Sequence, residues 1–388
     1  MNDSIAERVA GMKRSQIRVM FDMAETHGGD LVRLEVGEPD FSPPKHVTEA
    51  AVDSARSGEV NYTSNAGISE LRMAISERMA ADHDVVVDPE QVVVTVGALE
   101  ALHLAMVTLV DPGEEVVIPT PAWPNYVGQV RLAGGKLVEV PLPAEDGFAL
   151  DPDRVVEAIT DETAVVVLNS PSNPTGRVHG PEDVRTVAAA AADHDAFMIA
   201  DEAYLALAFE GDRRGIAALV DEPEKVVTVG TCSKTYAMTG YRLGWLAGPT
   251  EVAEGAAKIH ESTTACASSI SQHAALAALT GPQEPTERMR KAFRERRDLV
   301  VDRVAEIPHI SCARPEGAFY AFLDVSALDG TSLDVAKRLL REQGVVVAPG
   351  EGFGDAGQGH VRLSFASSPE DLKKGLDGIE ALVREELE

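Results

Sequence analysis

Cysteine is scarce in this chain: three residues, Cys232, Cys266 and Cys312, widely spaced and odd in number among 388. That usage excludes a disulfide framework and a cysteine-based zinc site, and it belongs to a reducing compartment. Long apolar runs are missing too, so no segment has the length of a membrane span. The start, Met1-Asn2-Asp3-Ser4, lacks the basic-then-apolar pattern of a secretory signal, and the expected location is the cytoplasm. Positive charge is the largest deficit. Lysine and arginine number 35 against 63 aspartates and glutamates, for a net charge of -28. Such a chain is a poor partner for nucleic acid or an anionic membrane. It also repels anionic metabolites at long range, so any anion site must gather its own positive charge locally. Lysines are rarer than arginines, 10 against 25, which makes each well-placed lysine informative.

What is present is a globular chain, 44% hydrophobic and long enough for a large core in two lobes. Val92 to Val96, Glu115 to Ile118, Ala164 to Leu168, Ala196 to Ala200 and Val226 to Val229 read as strands. Their apolar residues run without alternation, which fits a sheet covered on both faces. Leu99, Leu102, Met106 and Leu109 follow helical spacing, as do Ile68, Leu71, Ile75 and Met79. Strands alternating with helices predict an α/β fold with a largely parallel sheet. Gly281-Pro282-Gln283-Glu284-Pro285 predicts a break before a C-terminal lobe. There are no repeats or low-complexity segments.

In such sheets ligands gather beyond the carboxyl ends of the strands. Five consecutive strand ends here carry polar or aromatic groups: Gly97-Ala98-Leu99, Pro121-Ala122-Trp123, Asn169 to Gly176, Asp201 to Tyr204, and Thr231 to Lys234. Lys234 stands out. A lysine at the end of a buried strand is costly unless something uses it. Desolvation lowers its pKa and frees the amine as a nucleophile, as a Schiff base with an aldehyde requires. Small hydroxyl residues surround it and Arg242 follows eight positions later, a set suited to phosphate. Amine, aldehyde and phosphate together point to pyridoxal 5'-phosphate. Two motifs point elsewhere and fail on context. Gly352-Phe353-Gly354-Asp355-Ala356-Gly357 matches a dinucleotide fingerprint, but a strand rather than a helix follows, so it reads as a loop. Ser233-Lys234-Thr235 lacks the glycine of a P-loop.

Taken singly, each residue has an ordinary reading: Lys234 and Arg362 as surface cations, Asp201 as a helix N-cap, Asn173-Pro174-Thr175-Gly176 as a turn, Trp123 as a core aromatic. Jointly, their order and spacing resemble the fold-type I, class I/II PLP-dependent aminotransferases. The resemblance runs from Gly37-Glu38-Pro39-Asp40-Phe41 through Gly317-Ala318-Phe319-Tyr320 to Arg362. It implies a large PLP-binding domain over residues 46–280 with a mostly parallel seven-stranded sheet. Residues 1–45 and 281–388 then form an N-terminal arm and a small α+β domain.

The resemblance also implies roles. Lys234 carries the internal aldimine and shuttles the proton. Asp201 pairs with the pyridine nitrogen, Tyr204 and Asn173 bond the phenolic oxygen, and Trp123 stacks on the ring. Backbone N-H groups of Ala98 and Leu99, the Thr231 hydroxyl and Arg242 hold the phosphate; the family usually has serine or glycine at position 231. Tyr62 reaches the phosphate of a neighbouring subunit, which implies a homodimer with shared sites. Arg362 clamps the substrate α-carboxylate, with Asn173 and the Gly37 backbone beside it. No metal is implied. Relatives acting on aspartate add a second cation, either a lysine where this chain has Leu99 or an arginine from the neighbouring subunit. The corresponding stretch here, Ser262 to Ile270, has none. The expected reaction therefore moves an amino group from an L-amino acid, neutral side chains favoured, to a keto acid such as 2-oxoglutarate or pyruvate. A C-S lyase or an aspartate aminotransferase is the alternative on this scaffold. A non-catalytic relative, which would tend to lose Lys234 or gain a DNA-binding domain, fits least.

Overall fold

The computed structural model describes residues 6–12 and 14–387, so the Met1–Ser4 start lies outside the described residues. The central sheet has seven strands: β1 (Val92–Thr95), β2 (Glu115–Thr120), β3 (Lys136–Pro141), β4 (Thr163–Asn169), β5 (Phe197–Asp201), β6 (Val226–Thr231) and β7 (Gly244–Ala247). Their order is β1-β7-β6-β5-β4-β2-β3. All pairs are parallel except those of β7, which runs antiparallel to both β1 and β6.

The unbroken apolar runs have a direct cause. Val116, Ile118, Val165, Val167, Ile199 and Val229 point to one face, where the helix Ala98–Leu109 packs with Leu102 and Met106. Val117, Val166, Leu168, Met198 and Ala200 point to the other, against Val155, Val184 and Val187. Strand side chains alternate with period two, so two covered faces require apolar residues at every position. Leu99 departs from the expected helical stripe: it stays exposed in the first turn and faces a cavity.

A second, antiparallel sheet is formed by β8 (Ser311–Cys312), β9 (Tyr320–Asp324), β10 (Ala348–Pro349) and β11 (His360–Ser364), in the order β10-β11-β9-β8. Val32–Arg33 pairs in parallel with Val345–Val346, bringing the N-terminal segment to this lobe. Met20, Ala24 and Leu34 share its apolar cluster with Phe293, Leu339, Val361 and Leu376. The glycine-rich stretch from 352 to 357 forms turns between β10 and β11, as its sequence context required. A Cβ on Gly357 would lie 2.1 Å from the Gly350 carbonyl oxygen, so close backbone approach explains that glycine.

Candidate active site

A cavity of about 460 Å³ opens at the carboxyl ends of β4, β5 and β6. It lies on the side where parallel sheets expose helix N-termini and loops. Sheet register decides what meets there. Asn169 on β4 is directly paired with Asp201 on β5. Thr95, Gly244 and Thr231 lie in one row across β1, β7 and β6, so the turn after β1 sits beside the segment that leads into β7.

Lys234 follows β6 on the short helix Cys232–Thr235. Thr231 caps that helix, accepting the Ser233 N-H at 3.1 Å, and its hydroxyl lies 2.9 Å from the Leu243 carbonyl. The hydroxyl expected to hold phosphate is therefore already engaged in positioning the lysine turn, and Ser233 joins it in the cavity wall. The Lys234 amine donates to the Gly37 carbonyl at 2.7 Å. Burial pushes its pKa down to about 8; Glu38 opposes this, while Arg242 and Arg362 reinforce it.

Asp201 ends β5 and is buried. Tyr126 donates to its Oδ2 at 2.6 Å, and the Ala203 N-H reaches Oδ1 at 3.1 Å. Burial raises its pKa, and these two hydrogen bonds oppose the rise. Among the described residues no cation pairs with it, so a buried acid faces the cavity with hydrogen bonds but no counter-charge. Asn169 locks the floor: its amide donates to the Asp201 carbonyl at 2.9 Å and its Oδ1 accepts the Asn173 N-H at 2.8 Å.

At one end of the cavity, Gly97 adopts φ +77° before the helix Ala98–Leu109. First-turn N-H groups such as those of Ala98 and Leu99 have no intrahelical acceptor and carry the positive end of the helix dipole. Arg242, itself at φ 53°, donates to the Thr239 carbonyl at 3.0 Å. Its guanidinium lies against Gly97, where a Cβ would come within 2.6 Å of Nη2. On Gly244 a Cβ would come within 2.6 Å of the Ala98 nitrogen. Both glycines are needed for the cationic fork and the helix N-terminus to share one concavity.

At the other end, Arg362 on β11 is buried between the rings of Tyr320, 4.3 Å from its centroid, and Phe353, at 5.1 Å. Its Nη1 donates to Asn173 Oδ1 at 2.9 Å and Nη2 to the Glu35 carbonyl at 2.5 Å, while Nε has no partner. The Tyr204 and Tyr320 hydroxyls lie 2.8 Å apart. A Cβ on residue 37 would fall 2.1 Å from the Tyr320 hydroxyl, so only glycine lets this backbone reach the cavity.

The fold thus brings Gly37, Ala98, Leu99, Trp123, Asn173, Asp201, Tyr204, Thr231, Lys234, Arg242 and Arg362 to one cavity. Tyr62 is not among them; its side chain is 90% exposed. The loop that carries it is nevertheless tied down, with Gln272 donating to Thr63 at 2.9 Å and His260 Nδ1 lying 2.8 Å from the Asn65 carbonyl. Sequence reasoning gave no role to Tyr126, Asn169, Tyr320 or Arg18, all of which line the cavity. Tyr126 had one faint signal, its three-residue spacing from Trp123; their rings meet edge-on at 5.6 Å.

A buried amine of lowered pKa, an acid lacking a counter-ion and an arginine at either end of one cavity on a parallel sheet fit an enzyme of cofactor-assisted amine chemistry. The sequence comparisons agree. The model for the family "Aminotransferase class I and II" matches residues 29–379. The aspartate/prephenate aminotransferase of Thermus thermophilus is 40% identical over 379 residues, 96% of this chain and 97% of that protein. The structure of the aspartate aminotransferase from Thermus thermophilus with maleate superposes with a TM-score of 0.93 at 40% identity, covering 98% of this chain and 99% of the other. The aromatic aminotransferase from Pyrococcus horikoshii OT3 gives 0.88 at 37% identity, covering 94% and 99%. The chain belongs to the class I and II aminotransferase family. It is a PLP-dependent transaminase that exchanges an amino group between an amino acid and a 2-keto acid.

Proposed function

We propose that this transaminase takes its amino group from an L-amino acid with a neutral side chain and passes it to a dicarboxylic keto acid of the 2-oxoglutarate kind, with Lys234 as the catalytic amine. The observation that carries this reading is the Lys234 amine, held to a pKa of about 8 in a cavity that also contains Asp201 and Arg362. The residues fit the cofactor. Asp201, buried without a cation, would hold its ring nitrogen. The Gly97–Leu99 turn, Arg242 and the Ser233 hydroxyl, set by Thr231, would hold its phosphate, Lys234 its aldehyde, Trp123 its ring face, and Asn173 and Tyr204 its phenolic oxygen. Pyridoxal 5'-phosphate, when bound, supplies an electrophilic carbon and a ring that accepts electron density from the substrate α-carbon.

The protein's part is positioning and proton transfer. Arg362 receives the α-carboxylate through N-H groups that include the unpartnered Nε, and aromatic rings on both sides exclude water from the pair. Asn173, bonded to Arg362 Nη1, fixes the orientation of the guanidinium. The neutral amine of Lys234 takes a proton from the α-carbon and returns it on the other side of the exchange. Burial first, then Glu38 and the two arginines, set how much of that amine is neutral at a given pH.

Leu99 places an apolar side chain in the cavity wall, which supports a neutral donor. Aspartate as donor is the second reading, favoured by the names of the relatives. We further propose a homodimer in which Tyr62 completes the neighbour's phosphate site, supported by a nearly bare tyrosine on a fixed loop. A cytoplasmic location is supported by three unpaired cysteines; no helix among the described residues is long and apolar enough to cross a membrane. Transfer of label from ¹⁵N-alanine to 2-oxoglutarate tests the reaction. Labelled glutamate is the expected product, and label that stays in alanine with no glutamate formed would overturn it.

A further inference from the structure

Four cationic side chains line the cavity among the described residues: Lys234, Arg242, Arg362 and Arg18. Under the proposed function the first three are committed to the cofactor and the α-carboxylate. Arg18 is not. It sits on the helix Gln16–His27, whose Met20 and Ala24 are anchored in the small-lobe core, and Ile17 and Phe21 of the same helix also face the cavity. Arg18 Nε lies 2.9 Å from Asp22 Oδ1, and Arg14 approaches the other oxygen of Asp22 at 2.7 Å. Two guanidinium groups thus share the Asp22 carboxylate. The Arg18 guanidinium also lies over the Phe21 ring, 4.7 Å from its centroid. Stacking restrains a guanidinium while leaving its edge for in-plane, bidentate contact with a carboxylate.

We infer that Arg18 receives the distal carboxylate of dicarboxylic substrates, doing from the N-terminal helix what no cation at position 99 can do. The inference rests on the proposed function, since it takes the α-carboxylate to be held at Arg362. A second carboxylate entering this cavity needs a cation, because burying it unpaired is costly. Leu99 offers none, and among the described residues Arg18 is the one cation in the wall not assigned to the cofactor or the α-carboxylate. The side chain of Arg18 is 59% exposed. It therefore keeps its hydration when a substrate has no second carboxylate, and a neutral side chain leaves no buried, unpaired charge behind. One site can then alternate between a neutral donor packed on Leu99, Ile17 and Phe21 and a dicarboxylic acceptor paired with Arg18.

The test measures KM for 2-oxoglutarate and for pyruvate as acceptors in the holoenzyme, together with calorimetric affinities for succinate and propionate. In Arg18→Met the KM ratio, 2-oxoglutarate over pyruvate, should rise about tenfold or more, the size of a lost charge-assisted hydrogen bond. Succinate should lose affinity relative to propionate, and Arg18→Lys should recover part of both. Asp22→Asn, which removes the competing carboxylate, should shift the ratio the other way. An unshifted ratio in both Arg18→Met and Asp22→Asn would overturn the inference. Amino transfer by the unmodified enzyme to either acceptor is read in the same series and tests the transaminase proposal separately.

Discussion

The reactivity of this protein rests on single side chains whose surroundings move their proton affinities. Lys234 has its pKa lowered to about 8, so its neutral form is the minority below that pH and the majority above. The rate at which apoprotein captures pyridoxal 5'-phosphate should rise about tenfold per pH unit below about 8 and level off above it. A flat stopped-flow profile would mean that another group takes the aldehyde. Asp201→Asn keeps the shape and an oxygen to accept the Ala203 N-H, and its amide can donate to a Tyr126 hydroxyl turned to accept, while a buried charge that lacks a cation is removed. The apoprotein's thermal midpoint should hold or rise, while turnover falls about a hundredfold or more, as when a preorganised electrostatic contact is lost. A destabilised apoprotein with normal turnover would make Asp201 merely structural. Residues of this kind were legible in the sequence because each is chemically out of place at the end of an apolar strand. Tyr126 and Arg18 were not. Tyrosine is ordinary in a helix, and Arg18 shows its relation to the cavity only once the N-terminal helix packs onto the far lobe.

At the scale of elements, the strands buried on both faces announced themselves, whereas two others did not. β3, Lys-Leu-Val-Glu-Val-Pro, is an edge strand with exposed Lys136 and Glu139, so its apolar signal is broken. β7 has four residues beginning with glycine, too short to register as a strand, yet it supplies the antiparallel turn that carries Arg242 to Gly97. That contact makes a sharp prediction. Gly97→Ala must carry a Cβ at φ +77° and within 2.6 Å of Arg242 Nη2. Gly58, at φ +86° with nothing within 4 Å of its Cβ position, is the control. Gly58→Ala should cost about 1–2 kcal/mol in urea unfolding from left-handed strain, and Gly97→Ala more, because φ 77° with ψ 167° is a conformation kept for glycine. Only Gly97→Ala should also weaken cofactor affinity, and equal effects on affinity from the two variants would refute the shared concavity. The apolar cluster joining Met20, Ala24 and Leu34 to Val345 and Leu376 supports our proposal that residues 1–45 and 281–388 act as one small domain.

For the molecule as a whole, a net charge of -28 must coexist with a site for phosphate and carboxylates. The fold resolves this by gathering Lys234, Arg242, Arg362 and Arg18 around one cavity. Whether that cavity is complete within one chain turns on Tyr62, and a tyrosine 90% exposed had no intrachain role for the sequence to signal. If the proposed dimer shares its sites, Tyr62→Phe should speed cofactor loss on dilution without changing the sedimentation of the protein. A fully active monomer would contradict the shared site. The most direct test of the central assignment is a spectral titration of the holoenzyme with L-amino acids, run beside Lys234→Ala. The unmodified protein should lose its visible cofactor band with a neutral amino acid and regain it on adding 2-oxoglutarate, while Lys234→Ala should show neither change. Bleaching without recovery, or a full cycle in Lys234→Ala, would contradict the account.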